Sequence, residues 1–436
     1  MDLDIHLDGE WHPCADVTLT EPVSRSRRAS VRLKYDADYA VTHLGAIDYR
    51  ALTIRAPVDL GFRVLPHWPS FLIDLLPQGA ARKRLERLAQ ASLDEWALLE
   101  RGAVNPVGNL RVRPAEPRPR VTHRGFDMRE MTSRGDEFID FANEVGATVA
   151  GATDTQGEAP KFWVIQDENG RWHPDTGNHT GNHSGNANVT AVRYALLKFP
   201  VPEAGPRAED ILRHEAAYQR VAARLGLRVT TPSPEFIDGA LLIPRFDRAS
   251  ANGIEVRLGV ESLYSVAGVL DSAESTLRHH DALIALSACL TDFETEMIEY
   301  VRRDLLNIAL GNRDNHGRNT AILKDVDGTM RLAPIFDFGP AYLDARAIAR
   351  VMRWEGEEAG RTDWNRVLEL LTLRFEEAGV AAFDWRGIAA GMRSLAGDLE
   401  SVPHVMQESG VDESIVQQRR PEIAALAKSL SRVAKP

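Results

Sequence analysis

Three oxygen-bearing side chains between residues 309 and 339 are spaced for phosphoryl transfer. Arg313-Asp314 is followed by Asn319 at the Asp-x-x-x-x-Asn interval, and Asp337-Phe338-Gly339 begins 23 positions after Asp314. Moving a phosphoryl group needs one carboxylate to orient the attacking hydroxyl. It also needs oxygen ligands that hold Mg²⁺ against a triphosphate. Asp314 has the right type for the first role, Asn319 and Asp337 for the second. Between them, Thr320-Ala-Ile-Leu-Lys324, a turn at Asp325-Val-Asp-Gly328 and Met330-Arg-Leu332 read as a hairpin that folds Asp337 back beside Asn319. Either motif alone arises by chance, as a capped turn or a loop carboxylate. The two in this order, with a hairpin between, are far less accidental.

A triphosphate must also be neutralised and covered. Lys198 ends the apolar run Tyr194-Ala-Leu-Leu-Lys198, where its ammonium reaches phosphates or simply sits in water. Residues 151–161 are small and end in Lys161; a loop without bulky side chains lets backbone N–H groups approach phosphate oxygens, although a flexible linker would look the same. Glu215, on the helix after Lys198, is placed to orient the lysine or to be merely solvated. His316 either contacts the nucleotide or is an ordinary hydrogen-bonded loop histidine. His173, His179 and His183 have no carboxylate or cysteine at fixed spacing, so a mobile polar loop over 176–188 is preferred to a metal site.

The elements that carry these groups change character along the chain. Residues 1–60 alternate apolar and polar, as in Ala29-Ser-Val-Arg-Leu-Lys-Tyr35, and predict antiparallel strands. Ser70–Arg101 has helical spacing, and Val107–Val112 returns to strand. Pro114-Ala-Glu-Pro-Arg-Pro119 reads as a stiff connector. A helix is predicted over Phe126–Val145, strands at Phe162–Ile165 and Val189–Phe199, and a helix over Ala208–Leu225. Three short strands are expected at Val229, Phe236-Ile237 and Leu241–Phe246. Helices dominate from Leu258, over 272–288, 294–311, 364–378, 384–399 and 412–433. The result is α+β: an α/β half with antiparallel strands, joined to a mainly helical half, in two lobes. The expected divisions are 1–125, 126–246 and 247–436.

The whole chain of 436 residues, 44% hydrophobic and 26% charged, has the balance of a globular enzyme. A net charge of −11 disfavours non-specific nucleic-acid binding by the bulk surface. Two short basic stretches, Arg25-Ser-Arg-Arg28 and Arg111–Arg124, are read as solvated loops. The two cysteines, Cys14 and Cys289, form no Cys-x-x-Cys pair and no disulfide framework. No secretory signal and no long apolar run is evident, so a cytoplasmic protein without membrane attachment is expected.

With these residues in view, the chain resembles the HipA family of bacterial serine/threonine kinase toxins. Phe71-Leu-Ile-Asp-Leu-Leu-Pro77, Leu98-Leu-Glu-Arg-Gly102 and Val107-Gly-Asn-Leu-Arg-Val112 are similar to the family's N-terminal subdomain. Gly157-Glu-Ala-Pro-Lys161 resembles its phosphate loop and Leu197-Lys-Phe-Pro200 its nucleotide lysine. Arg245-Phe-Asp-Arg248 resembles its hinge, Asp314-Asn-His-Gly-Arg-Asn319 its catalytic loop and Phe336-Asp337 its metal aspartate. The resemblance implies a protein-kinase-like fold and ATP- and Mg²⁺-dependent phosphorylation of a protein Ser/Thr, with Asp314 as base and Asn319 and Asp337 on the metal. ATP would lie on Gln156, Gly157, Glu158, Ala159, Pro160, Lys161, Lys198, Pro244, Arg245, Phe246, His316, Gly317, Arg318, Asn319, Phe336 and Asp337. It further implies a protein substrate such as an aminoacyl-tRNA synthetase, a small helix-turn-helix antitoxin as partner, and DNA contact only through that antitoxin.

One position departs from the family pattern. Where relatives carry an autophosphorylated serine before the loop glycine, this chain has Asp154, flanked by Thr153 and Thr155 as the remaining candidates. Two other functions are carried alongside. A small-molecule phosphotransferase of the aminoglycoside or choline kind uses a similar Asp-x₄-Asn. A nucleotide-binding co-repressor would be non-catalytic; no helix-turn-helix is evident in the chain itself.

Overall fold

Alternating side chains and paired charges build the first layer. The computed structural model describes residues 1–21, 24–114, 125–133, 138, 141–142, 161–175, 189–200, 205–251, 254–270, 277–358, 361–380 and 385–434. An antiparallel sheet is made of β1 (Asp2–Leu7), β2 (Glu10–Leu19), β3 (Val31–Tyr35), β4 (Phe62–Leu65) and β5 (Leu110–Val112), in the order β4-β3-β2-β1-β5. In β3 the alternation is strict: Val31, Leu33 and Tyr35 are buried while Arg32 and Lys34 are exposed. Strand β1 is covered on both faces, and its buried Asp4 is neutralised by Arg111 (3.0 Å) and Arg113 (2.8 Å). Helices α1 (Ala37–Thr42), α2 (Phe71–Leu75), α3 (Gly79–Ala89) and α4 (Glu95–Gly102) complete this part around Trp68, Leu72 and Leu98.

These contacts correct the reading of a solvated loop at Arg111 and give the loop arginines Arg25 and Arg27 ion-pair partners. Arg111 lies in β5, paired with Asp4, with its guanidinium 4.1 Å from the Trp11 ring centroid. Arg25 and Arg27 reach across to Glu100 and Glu95 on α4. Each arginine has a carboxylate far away in sequence, which a local reading of charge does not see.

A second antiparallel sheet holds β6 (Lys161–Asp167), β7 (Trp172–Pro174), β8 (Ala191–Lys198), β9 (Glu235–Ile237) and β10 (Ala240–Pro244), in the order β7-β6-β8-β10-β9. Two helices accompany it, the short α5 (Met128–Thr132), opened by an Asp127–Glu130 capping box, and the long α6 (Ala208–Arg224). The connector 115–124, the loop 151–160 with Thr153 to Pro160, and the polar loop 176–188 lie outside the described residues, as do 134–137, 139–140 and 143–145 of the helix predicted over Phe126–Val145.

Strands continue past the point where helices were expected to take over. β11 (Arg248–Ala251) pairs with β12 (Ile254–Arg257), and β13 (Gly259–Ser262) pairs with β14 (Ala321–Lys324), which pairs with β15 (Met330–Leu332). The predicted hairpin is therefore the β14–β15 part of a three-stranded sheet, its turn closed by Gly328 N–H donating to Asp325 O at 3.0 Å. Val229 is not in a strand. The helices are α7 (Leu263–Ala267), α8 (His279–Ser287), α9 (Phe293–Leu310), α10 (Trp364–Glu377), α11 (Trp385–Glu408) and α12 (Glu413–Leu430). They bury one large core containing Leu305, Leu371, Leu395, Val402 and Val416. No described helix is long and apolar enough to cross a membrane.

Where the parts meet, charge is buried in a closed network. Asp247 takes Arg245 Nε at 2.9 Å, Arg248 Nη1 at 2.7 Å and the Gly108 amide at 2.8 Å. Arg248 also donates to the carbonyls of Gly108 and Pro106, at 2.8 and 3.1 Å. Burial pushes the Asp247 carboxyl up, but the two guanidiniums outweigh it and hold it well below the usual carboxylate range.

Candidate active site

The β6–β8 register puts Lys161 directly opposite Lys198, so both ammonium groups leave the same face of the sheet. Helix α6 crosses near that face with Glu215 turned inward and buried. From the helical half comes Asp337, two residues after Ile335, whose amide is held by Arg228 O at 2.8 Å. Lys198 Nζ lies 2.6 Å from Glu215 Oε2 and 2.6 Å from Asp337 Oδ1. Asp337 sits at φ 49°, in the left-handed region that non-glycine residues seldom adopt. Phe338 anchors it, fully buried with its ring 5.6 Å from Tyr218.

Electrostatics divide the roles within this cluster. Burial alone would lower the Lys198 ammonium, but Asp337 and then Glu215 outweigh it and raise it. Burial would raise Asp337, yet Lys198 and Lys161 reverse that and hold it well below the usual carboxylate range. Glu215 is raised, because burial exceeds what Lys198 returns. Lys161 is lowered by burial, with Asp337 opposing. Asp314 is raised, chiefly by burial, with His316 opposing and Asp337 adding. A carboxylate shifted in that direction is a better proton acceptor than a solvated one.

The catalytic-type loop follows α9, which ends at Gly311 in the left-handed conformation. Asn319 Nδ2 donates to Asp314 O at 2.9 Å, closing the loop on itself. His316 Nδ1 accepts from the Arg318 amide at 3.2 Å, and its Nε2 lies 3.3 Å from Asp314 Oδ1. Gly317 is required by packing: a Cβ there would fall 2.3 Å from Cδ1 of Tyr264.

Two chambers open around these groups. A groove of about 100 Å³ is lined by Lys161, Lys198, Glu215, Asp314 and Asp337. A cavity of about 120 Å³ shares Lys161, Glu215 and Asp337 and adds Trp163, Leu196, Ile243, Pro244, Phe246 and Phe336. The Phe246 and Phe336 rings stand 5.8 Å apart at 27°, apolar walls at the spot where the two lobes meet. A nucleotide fits this division, with its base in the apolar cavity and its phosphates toward the lysines. A divalent cation fits as well: Asn319 Oδ1 is buried without a hydrogen-bond partner, an oxygen that a metal would satisfy. Among the described residues no cluster of His, Cys, Asp and Glu is arranged as a metal site on its own. His173 is instead buried 3.1 Å from Asp167.

The structure thus brings Lys161, Lys198, Glu215, Asp314, Asp337, Pro244, Phe246 and Phe336 to one cleft, with His316, Gly317 and Asn319 on the adjoining loop. Arg245 and Arg318 also line the larger cavity, with their side chains engaged in ion pairs. Arg245 is buried against Asp247, with its guanidinium 3.8 Å from the Trp163 ring. Arg318 is buried 3.9 Å from Asp74 of α2, whose carboxylate also holds the Ser262 amide at 2.9 Å. Residues 153–160 lie outside the described residues.

Gln219 went unnoticed in the sequence. It donates from Nε2 to Ile335 O at 2.8 Å and leaves Oε1 unpartnered in the wall of the larger cavity. It stands one helical turn after Glu215, and that spacing could have found it.

Such a two-lobed α+β arrangement, with a lysine–glutamate pair facing an Asp-Phe-Gly aspartate, has the fold of the kinase-like proteins. Residues 153–401 match the HipA-like C-terminal domain, and the chain belongs to the HipA family. The toxin HipA of Shewanella oneidensis MR-1, solved with HipB and its operator DNA, aligns over 98% of this chain and 96% of its own with a TM-score of 0.66. At 16% identity that is a likeness of fold. The Helicobacter pylori proinflammatory kinase CtkA aligns over 56% of this chain and 89% of its own at 11% identity, with a TM-score of 0.37, too slight to carry an argument. The Sinorhizobium fredii (strain NBRC 101917 / NGR234) protein named "Putative kinase Y4mE" is 28% identical over 149 residues, 33% of this chain; the chain spans 34% of that relative's length.

Proposed function

We propose that this HipA-family protein is an ATP-dependent serine/threonine protein kinase and the toxin of a toxin–antitoxin pair. The contact that carries the reading is Lys198, which joins Glu215 of the sheet-bearing lobe to Asp337 of the helical lobe, 2.6 Å from each. In this reading Lys161 and Lys198 hold the phosphates, and Asn319 and Asp337 hold Mg²⁺. When bound, the ion would offset the charge of the phosphates. Asp314 accepts the hydroxyl proton of the acceptor, helped by its raised carboxyl, with His316 Nε2 3.3 Å away. Phe246 and Phe336 exclude water around the base. The division into 1–125, 126–246 and 247–436 is our reading of how the chain is organised for this task.

A small helix-turn-helix antitoxin is the proposed partner, by analogy with the HipB–operator complex of the Shewanella protein. A component of the translation machinery is the proposed substrate. Incubating purified protein with labelled ATP, Mg²⁺ and a cell lysate tests the catalytic claim. Labelled protein bands that disappear with Asp314→Ala, a loss of about 10²–10⁴ in rate, are expected. Phosphopeptide mapping of the same reaction reads modification at Thr153 or Thr155. Label appearing in a metabolite instead would make it a small-molecule phosphotransferase, and nucleotide binding without transfer would make it a co-repressor.

A further inference from the structure

The segment after Asp337 returns to the catalytic loop and is fastened there by fixed charges. Asn315, the neighbour of Asp314, accepts the Val351 amide on Oδ1 at 2.9 Å and donates from Nδ2 to Met352 O at 2.9 Å. Behind it stands Asp304 of α9, which is 2% exposed. Asp304 Oδ2 accepts from Arg350 Nη2 at 2.5 Å and from Trp354 Nε1 at 2.7 Å. Arg350 turns its other amine to Glu357, 2.7 Å away. Trp354 is 1% exposed and stacks on His279, with centroids 4.6 Å apart. Burial pushes His279 down to about 4, so its ring is neutral and leaves Arg350 and Asp304 to balance one another.

The composition of this segment agrees. From Gly339 to Arg361 there is no Ser or Thr, and Tyr342 is the sole hydroxyl residue. The ring of Tyr342 lies 5.3 Å from the Arg419 guanidinium, and its hydroxyl is buried. Where phosphorylation orders such a segment, the added phosphate pairs with an arginine that otherwise lacks a counter-charge. Here that place is already taken: Arg350 is satisfied by two carboxylates encoded in the chain.

We propose that Asp304 is a positioning residue for the catalytic loop, and that the 340–357 segment is assembled by the Asp304–Arg350–Glu357 clamp without any phosphorylation of its own. The inference rests on the kinase reading above and adds how that site is kept ready. Asp304 reaches Asp314 only through Asn315 and the segment, so its loss should act on the chemical step rather than on nucleotide binding.

The test compares wild type with Asp304→Asn, which keeps the volume and removes the charge, and with Arg350→Met, which leaves Asp304 intact. Both variants should lose amide-exchange protection over 350–354. They should bind ATP within about twofold of wild type yet show kcat lower by about tenfold to a hundredfold. Wild type treated with a phosphatase should keep its full rate. Unchanged protection and unchanged kcat in both variants would overturn the proposal. So would an equal fall in ATP affinity, or a rate that depends on phosphate mapped to Tyr342. If Asp304→Asn loses protection throughout the chain, Arg350→Met decides. If wild type transfers no phosphate at all, the kinase reading has failed, while the exchange measurement still reports on the clamp.

Discussion

Lys161 and Lys198 stand directly opposite each other across β6 and β8, and both lower the carboxyl of Asp337. Like charges in that relationship repel. The sheet tolerates them because Glu215 and Asp337 supply two negative charges at the same place. In the proposed reading, a triphosphate would compete with Asp337 for Lys198.

Removing Lys198 therefore damages both binding and stability. Lys198→Ala should weaken ATP binding by at least about tenfold and lower stability by about 3 kcal/mol, because Glu215 and Asp337 lose their shared buried cation. Isothermal titration and urea unfolding report the two effects. Adding Glu215→Gln should recover much of the stability and none of the affinity, which separates the structural role of the lysine from its role toward phosphate.

Asp74 gives the fold a pH dependence whose sign is set by burial. Its carboxyl is pushed up from 3.8 to about 6, mainly by burial, with Arg318 and Ser262 only partly offsetting. An acid raised on folding contributes stability in its protonated form; that contribution is full below pH 3.8 and is lost as pH rises through about 6. Urea unfolding between pH 4 and 7.5 should show wild type losing about 2 kcal/mol relative to Asp74→Asn. Parallel curves for the two proteins would remove Asp74 as the cause.

Packing of the catalytic loop on Tyr264 sets the third expectation. Gly317→Ala would put a methyl 2.3 Å from Tyr264 Cδ1, and the loop must move or the ring must turn. A stability loss of about 1–3 kcal/mol is expected, together with a fall in transfer rate as Asp314 and Asn319 shift. Tyr264→Leu in the same chain should restore part of the rate, and a double-mutant cycle in kcat measures that coupling.

Much of the architecture was legible because it is local. The period of two in Val31–Tyr35 is a strand, the helical spacing over 294–311 is α9, and the Asp325–Gly328 turn closes the predicted hairpin. Lys198, Glu215, Asp314 and Asp337 stood out as residue types at the right intervals, and the fold brings them to one cleft.

What escaped depends on partners distant in sequence. Nothing around Arg111 announces Asp4, and nothing around Asp74 announces Arg318. Asp304 did leave a trace, a lone carboxylate facing inward between the apolar residues Val301 and Leu305. Strands β11 to β13 were missed because each is only four residues long and their pairing rests on sheet context rather than pattern.

The wiring of Asp247 has a consequence for how the chain can be cut. The loop at Pro106–Gly108 supplies one donor and two carbonyls to the Arg245–Asp247–Arg248 knot. Deleting the leading hundred-odd residues would leave two guanidiniums and a carboxylate inside the remaining body with part of their coordination stripped away. The kinase-like portion is thus not a separable module with an optional prefix. A truncated version would be expected to come out of the cell as insoluble material.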